Sequence, residues 1–393
     1  MKTSPAAAVS LILGLTQVLA RPVTDPNIDI RDAATNAQPA AGESRPSELD
    51  RQSLNIFLGG EDVDSIKNNN PDPKSKIYPK KSDRDAPYAR SERDLKASIY
   101  IPKTFSASSK KQPVILVPGT AAMAGTTFRA NLAPLLAKSD FADPLWVNIP
   151  EASLDDAQEN SEYVAYAINY VQDMTGKKPA VVAWSQGNLN AQWALKYWPS
   201  TREAVTDLVS MSPDFHGTKE AFAACKTPAA ALSCTPSVYQ QMYESQFVKT
   251  LRANGGDSAY VPTTSLFSAT DEVVQPQSGP VASAILKDGN SAKVSNIEVQ
   301  KACPATPAGG EVTHEGMLYN SLAFALLKDA LTNDGPGKLE RIDKKVCLDP
   351  AAGKLDKLEI SATEAVLADA GANVLAYPNK VKREPAIKDY AKN

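Results

Sequence analysis

The sequence predicts an α/β fold, with a central, mostly parallel β-sheet and helices on both of its faces. From about residue 94 to residue 215, short apolar runs alternate with stretches of helical apolar spacing, which is typical of βαβ units. The run Val114–Val117 is aliphatic throughout, as expected of a strand buried on both faces. A five-residue turn with small residues at both ends, Ala183–Gly187, follows another apolar strand and precedes a helix.

The individual elements follow from apolar spacing along the chain. The first predicted strand, 97–102, fits an edge of the sheet, and the last predicted helix, 361–375, is Ala-rich and apolar enough to cover a binding site as a fixed wall or as a lid. The other strands are expected at 114–117, 145–149, 180–184, 205–211 and 266–269, and the other helices at 127–138, 161–174, 189–197 and 320–331.

Charge and motif content restrict the function classes. The chain has 42 Lys and Arg residues against 45 Asp and Glu residues, a net charge of -3, which favours neither a nucleic-acid partner nor an anionic membrane surface. The sequence carries no zinc-ligand spacing, no phosphate-binding P-loop and no glycine-rich dinucleotide loop. We therefore expect no metal and no cofactor.

The amino-terminal part of the chain has the features of a targeting segment and a leader. Residues 1–20 combine a positive start, an apolar run and small residues at the cleavage positions, which predicts a signal peptide and secretion. Residues 21–81 are polar and end at the dibasic pair Lys80–Lys81, so we expect a propeptide or flexible leader. The alternative is an arm that wraps the surface of the mature protein. Residues 82–393 then form a single domain.

The four cysteines suggest disulfides, because a secreted protein matures in an oxidising compartment. Four cysteines allow three connectivities. Proximity in sequence favours Cys225 with Cys234, which leaves Cys303 with Cys347.

Ser185 is the predicted nucleophile. The motif Ala183-Trp184-Ser185-Gln186-Gly187 between a strand and a helix is the context of the nucleophile elbow of α/β-hydrolases. Such a turn needs small residues two positions before and after the serine, as Ala183 and Gly187 are. It raises the hydroxyl above the carboxyl edge of the sheet, where ligands bind in open α/β folds. An ordinary loop serine is the alternative.

A serine hydroxyl needs a base, and the chain contains only two histidines. In this fold the order along the chain is serine, acid, histidine. His216 follows Ser185 too closely to leave space for the acid, whereas His314 lies late, in a loop before a helix. His314 is therefore the predicted base, and His216 a surface or turn histidine.

The acid that orients the histidine must lie between Ser185 and His314. Asp271 directly follows a predicted strand and is the first choice, and Asp214, which also follows a strand, is the second. The remaining candidates, in weaker contexts, are Asp207, Asp257 and Asp288.

Backbone donors are also needed where negative charge develops on the substrate oxygen. The N–H of Gln186, directly after the nucleophile, supplies one. The second is expected from the loop Pro118-Gly119-Thr120 after an early strand, where Thr120 can add its hydroxyl.

These motifs resemble the family of Candida antarctica lipase B and its fungal relatives. The resemblance runs from about residue 113 to residue 314 and includes the loop 117–120, the elbow 184–187 and the histidine loop 314–316. Its most specific stretch is 268–276, which selects Asp271 over Asp214. Further similar stretches are 191–193, 212–218, 238–241 and 262–264.

The resemblance implies an α/β-hydrolase domain with Ser185, Asp271 and His314 as the triad. It implies that Thr120 and Gln186 form the oxyanion hole, and it supports the pair Cys303–Cys347. Leu145 stands where the family has a half-cystine, and Cys225–Cys234 is an additional pair. The implied pocket residues are Trp184 on the alcohol side and Asp214, Gln241 and Val273 on the acyl side.

The expected function is ester hydrolysis by a secreted, monomeric lipase or esterase, with an ester or lipid substrate and at most transient contact with a lipid–water interface. Hydrolysis of amides or polyesters on the same triad is an alternative, because specificity depends on pocket shape. A catalytically inactive hydrolase fold used for binding is a third reading, since a fold alone does not prove chemistry.

Overall fold

The computed structural model describes residues 62–226 and 233–392; the predicted signal peptide and residues 21–61 of the predicted leader lie outside them. Seven strands form one sheet in the order β1-β3-β2-β4-β5-β6-β7. β1 runs antiparallel to β3, and the other pairs are parallel. The predicted fold class is thus confirmed. The strands are β1 Ile99–Tyr100, β2 Gln112–Val117, β3 Ala142–Val147, β4 Ala180–Trp184, β5 Leu208–Met211, β6 Thr263–Phe267 and β7 Val294–Glu298.

Helices surround this sheet. The longest two are capped by aspartates: Asp156 accepts from the N–H of Gln158, and Asp356 forms a capping box with Glu359. The helices are α1 Glu92–Ala97, α2 Ala124–Phe128, α3 Leu132–Lys138, α4 Ala157–Thr175, α5 Gly187–Tyr197, α6 Ser200–Ala204, α7 Lys219–Lys226, α8 Pro236–Gln240, α9 Gln246–Arg252, α10 Val299–Ala302, α11 Ser321–Thr332 and α12 Lys357–Ala376.

The central strands are buried on both faces. All five residues of β4 and the last five of β2 are buried, which explains why these positions are apolar throughout rather than at alternate residues. One face packs against α4 and α5, where residues such as Ile115, Val181 and Val164 belong to a common core. Parallel pairing brings the carboxyl ends of β2, β4, β5 and β6 to the same edge of the sheet.

Two element predictions differ clearly from the structure, and one strand was not predicted. The helix expected at 127–138 is two helices, because Asn131 leaves helical geometry (φ -145°, ψ -100°) and its side chain caps α3 through the N–H of Leu132. The edge strand expected at 97–102 is confined to Ile99–Tyr100. β7 was not predicted, because it has only two large aliphatic residues, Val294 and Ile297, in a polar stretch.

Both expected disulfides are present, Cys225–Cys234 and Cys303–Cys347. Within the part of the chain that the structure describes, no helix is both long enough and apolar enough to cross a bilayer. Residues 62–81, which the sequence groups with the leader, lie against the domain, and Ile77 is fully buried there. Processing at residue 81 stays a prediction.

Candidate active site

The turn at Ser185 joins β4 to α5 with left-handed backbone geometry, φ 55°. A non-glycine residue in this region is strained and persists only where its surroundings hold it. Here the N–H of Ser185 donates to the carbonyl of Met211 at 3.0 Å. The side-chain amide of Asn188 donates to the carbonyls of Ala183, Ser185 and Met211 at 3.0 to 3.2 Å. Hydrogen bonds to the ends of β4 and β5 therefore hold the turn in this conformation.

Two glycines allow the loop after β2 to approach this turn. A Cβ on Gly119 would lie 2.7 Å from the Cβ of Ser185, and a Cβ on Gly187 would lie 2.6 Å from the carbonyl oxygen of Pro118. Neither separation is compatible with a side chain. The loop Pro118–Thr120 thus passes directly beside Ser185.

His314 and Asp271 form a buried pair at the same edge. His314 Nδ1 lies 2.8 Å from Asp271 Oδ2, and both side chains are at most 1% exposed. The other carboxylate oxygen, Oδ1, accepts the N–H groups of Val273 and Val274 at 2.9 and 2.7 Å. These bonds turn Oδ2 toward the ring and fix the carboxylate.

Hydrogen bonds also fix the backbone of His314. Its carbonyl accepts the indole N–H of Trp184 at 3.1 Å and the hydroxyl of Ser212 at 2.9 Å. Its N–H donates to Glu272 at 3.2 Å. Trp184 directly precedes Ser185, so the first of these bonds ties the histidine loop to the turn that carries the serine.

Opposing effects act on the pKa of His314. Burial lowers the pKa, but the charge of Asp271 and its hydrogen bond raise it, and the charges of Glu272 and Glu315 add to this effect. The net direction is a pKa above the ordinary histidine value. In these surroundings the imidazole of His314 accepts a proton more readily than a histidine side chain in water.

A chain of side-chain hydrogen bonds links the two predicted parts of the oxyanion hole. The hydroxyl of Thr120 donates to Gln241 Oε1 at 2.8 Å. Gln241 Nε2 donates to Gln186 Oε1 at 2.9 Å, and Gln186 Nε2 donates to the carbonyl of Ser153 at 3.0 Å. Thr120, Gln186 and Gln241 therefore lie together in the structure.

Comparison with known proteins shows where this arrangement belongs. No family model matches the chain. Lipase B of Pseudozyma antarctica is 35% identical over 293 residues, which cover 73% of this chain and 81% of that protein. The chain belongs to the lipase B family. The crystal structure of Aspergillus fumigatus lipase B matches with a TM-score of 0.80 at 51% identity, over 84% of this chain and 79% of the other.

Membership of the lipase B family confirms the resemblance found in the sequence. It also confirms the enzyme class: the chain is a carboxylic ester hydrolase of the lipase and esterase type. The α/β-hydrolase fold is confirmed by the same matches together with the mostly parallel sheet.

The predicted pocket residues of this lipase B-like chain have distinct environments. The ring of Trp184 lies 5.0 Å from that of His314, centroid to centroid. Asp214 is fully buried, both of its carboxylate oxygens lack a partner among the described residues, and burial raises its pKa to about 7. Val273 is half-buried, and its carbonyl accepts the hydroxyl of Thr218 at 2.8 Å.

Three of the candidates that were not selected have other partners or positions. His216 lies 3.2 Å from Asp257, which also pairs with Arg252 and Lys287. Burial raises the pKa of Asp257, but the hydrogen bonds from these three partners outweigh it and hold the pKa far below its ordinary value. Asp207 lies at the amino end of β5, the opposite edge from Ser185.

Sequence reasoning missed Glu272 and Ser212, which hold the backbone of His314. Both stand inside stretches that carried the resemblance, directly after Asp271 and two residues before Asp214. It also missed Glu315, a buried acid whose pKa burial raises to about 8. No spacing pattern marks these residues, because Glu272 and Ser212 act through contacts with the distant histidine loop and Glu315 is distinguished only by its burial.

Proposed function

We propose that this chain is a secreted serine hydrolase that cleaves carboxylic esters, triacylglycerols or simple esters, through an acyl-enzyme on Ser185. The observation that carries the proposal is the buried contact between His314 Nδ1 and Asp271 Oδ2 beside the strained turn at Ser185. Secretion is supported by the two disulfides, which persist in oxidising compartments. The enzyme acts as a monomer, with at most transient contact with a lipid–water interface.

In the proposed mechanism, His314 takes the proton of Ser185 as its hydroxyl oxygen attacks the ester carbonyl. Because Nδ1 faces Asp271, Nε2 is the ring atom that accepts this proton. The oxyanion accepts hydrogen bonds from Thr120 and from the N–H of Gln186. The alcohol leaves with the proton from His314, and water then attacks the acyl-enzyme to release the acid.

The acyl side of the pocket is assigned to Asp214, Gln241 and Val273, and the alcohol side to Trp184. The hydroxyl of Thr120 already donates to Gln241 in the free enzyme. Since a threonine hydroxyl rotates freely, this bond gives way to the substrate oxygen when the tetrahedral intermediate forms.

The first experiment compares wild type and Ser185→Ala on p-nitrophenyl butyrate and p-nitrophenyl palmitate. Wild type should cleave at least one ester and should be labelled by a fluorophosphonate, whereas Ser185→Ala should do neither. The ratio of the two rates distinguishes an esterase from a lipase. A folded, secreted wild type that is inactive on both esters and unlabelled overturns the proposal.

A further inference from the structure

The first twenty described residues, 62–81, form a strap that lies along the catalytic domain. Asn68 and Asn70 donate their side-chain amides to the carbonyls of Ala97 and Ile99 at 2.9 and 2.7 Å. Ile99 belongs to the edge strand β1, so this part of the strap satisfies backbone groups that an edge leaves open. The carbonyl of Pro71 accepts the hydroxyl of Tyr170 at 2.8 Å.

The carboxyl end of the strap is built into the core. Ile77 is fully buried, and the ring of Tyr78 stacks on that of Tyr88 at a centroid distance of 6.0 Å. The dibasic pair Lys80–Lys81 follows one residue later. The amine of Lys81 donates to Gln172 Oε1 at 2.7 Å, and burial lowers the pKa of Lys81. Proteases cut exposed, mobile loops, and this pair is neither fully exposed nor free of contacts.

The amino end of the strap contacts α2, the short helix that follows the oxyanion loop. Asp64 accepts the N–H of Thr126 at 2.8 Å and its hydroxyl at 2.5 Å. The residue at the N-cap of α2, Met123, makes no side-chain cap bond of its own. Asp64 therefore supplies the capping carboxylate for this helix, where a negative charge is favourable.

A second set of contacts joins the strap to the same helix. The carbonyl of Val63 accepts the indole N–H of Trp146 at 2.8 Å and the amide of Asn148 at 2.9 Å. Asn148 Oδ1 in turn accepts the N–H of Gly125 at 3.2 Å. A Cβ on Gly125 would lie 2.3 Å from the carbonyl oxygen of Val63. A side chain at position 125 would therefore collide with the backbone of the strap, and α2 has a glycine there.

The oxyanion loop, together with the residues that follow it up to 123, lies between two fixed points. It starts at the end of β2, in the centre of the sheet, and it ends where α2 begins. Between them the carbonyl of Ala121 accepts the side-chain amide of Asn373 from α12 at 2.9 Å. A displacement of α2 therefore moves Thr120 relative to Ser185.

We propose that the strap is retained in the mature enzyme and that Asp64 is a positioning residue, which sets the oxyanion loop through α2. Retention is independent of the reaction, whereas the effect of Asp64 on rate rests on the proposed function. Processing then takes place before residue 62, and not at Lys80–Lys81.

Retention is tested on the secreted wild-type protein by intact mass and amino-terminal sequencing. The expected mature chain begins at or before Asp62. Incubation of the folded protein with a dibasic-specific endoprotease should release no peptide that ends at Lys80 or Lys81. A mature chain that begins at Ser82 overturns the proposal, whatever the enzyme hydrolyses.

The role of Asp64 is tested with Asp64→Ala, with Asp62→Ala as the matched control, because Asp62 is an exposed carboxylate in the same strap. Small displacements of catalytic groups cost rate, so kcat of Asp64→Ala should fall about tenfold with KM within about twofold, and Asp62→Ala should match wild type. Thr126→Val should give a similar loss, and the double variant should lose no more than either single one. Equal kcat for Asp64→Ala and wild type overturns the positioning role.

Hydrogen exchange separates this role from general destabilisation and from failure of the proposed function. In Asp64→Ala, amides of residues 118–128 should exchange faster, while those of β4 and α5 should not change. This readout needs no substrate. If Asp64→Ala does not fold, Asp64→Asn, which keeps one acceptor oxygen, takes its place. Unchanged exchange at 118–128 overturns the proposal.

Discussion

The backbone N–H of His314 donates to the carboxylate of Glu272 at 3.2 Å, while its ring faces the neighbouring Asp271 at 2.8 Å. Two consecutive acids thus hold one histidine at two different points. Both charges raise the pKa of His314 against the lowering effect of burial. The same two carboxylates therefore position the imidazole of His314 and favour its protonated form.

The acid limb of the pH profile should depend on Glu272. His314 must be neutral to act as a base, so kcat/KM falls as the pH drops through its raised pKa. Glu272→Gln removes a negative charge, which lowers the pKa of His314 and shifts the acid limb to lower pH. The exposed Glu203→Gln serves as the control. Identical acid limbs in Glu272→Gln and wild type would contradict this prediction.

The hydroxyl of Thr120 should contribute to the rate rather than to binding. Thr120→Val keeps the backbone N–H and the shape of the side chain but removes one donor, so kcat should fall about a hundredfold with little change in KM. Thr120→Ser keeps the hydroxyl and should stay close to wild type. Steady-state kinetics on p-nitrophenyl butyrate measure both. A loss of similar size in the serine variant would argue for a packing effect instead.

A methyl group on Gly119 should strongly reduce activity without unfolding the protein. The added Cβ would meet Ser185 Cβ at 2.7 Å and the ring of Trp184 at 2.9 Å. We expect kcat/KM of Gly119→Ala to fall at least about a hundredfold, because the loop must move away from Ser185. Esterase assays together with circular dichroism check this.

Gly371→Ala is the matched control, since no heavy atom lies within 4 Å of its Cβ position in α12. It should leave activity unchanged and raise the free energy of unfolding by about 1 kcal/mol, the helix preference of alanine over glycine. Equal activity losses in the two variants would show that steric contact with Ser185 is not the cause.

The two disulfides should differ in their contribution to stability. Cys303–Cys347 spans 44 residues and Cys225–Cys234 spans 9, so loop-closure entropy assigns about 4 kcal/mol to the first and about 3 kcal/mol to the second. Urea unfolding of the two double serine variants measures the difference. A larger loss for Cys225→Ser/Cys234→Ser would refute the entropic ranking.

The sequence determined the fold class and the three residues proposed for the triad. Continuous apolar strands and small residues around Ser185 are local patterns, and the chain offers only two histidines. Chain order then favoured His314, and the stretch around Asp271 identified the acid. The strand and elbow patterns can be recognised in the sequence because the residues that form each of them are close together along the chain.

The tertiary structure decided which distant residues support these three. Glu272 holds the backbone of His314 from 42 positions away, and Asp64 caps a helix 62 positions away. Composition placed residues 62–81 in a leader, yet the buried Ile77 and the polar contacts of Asn68 and Asn70 place this strap on the domain. A polar segment gains its order from carbonyls and edges that only the folded domain presents, and the sequence of the segment does not contain them.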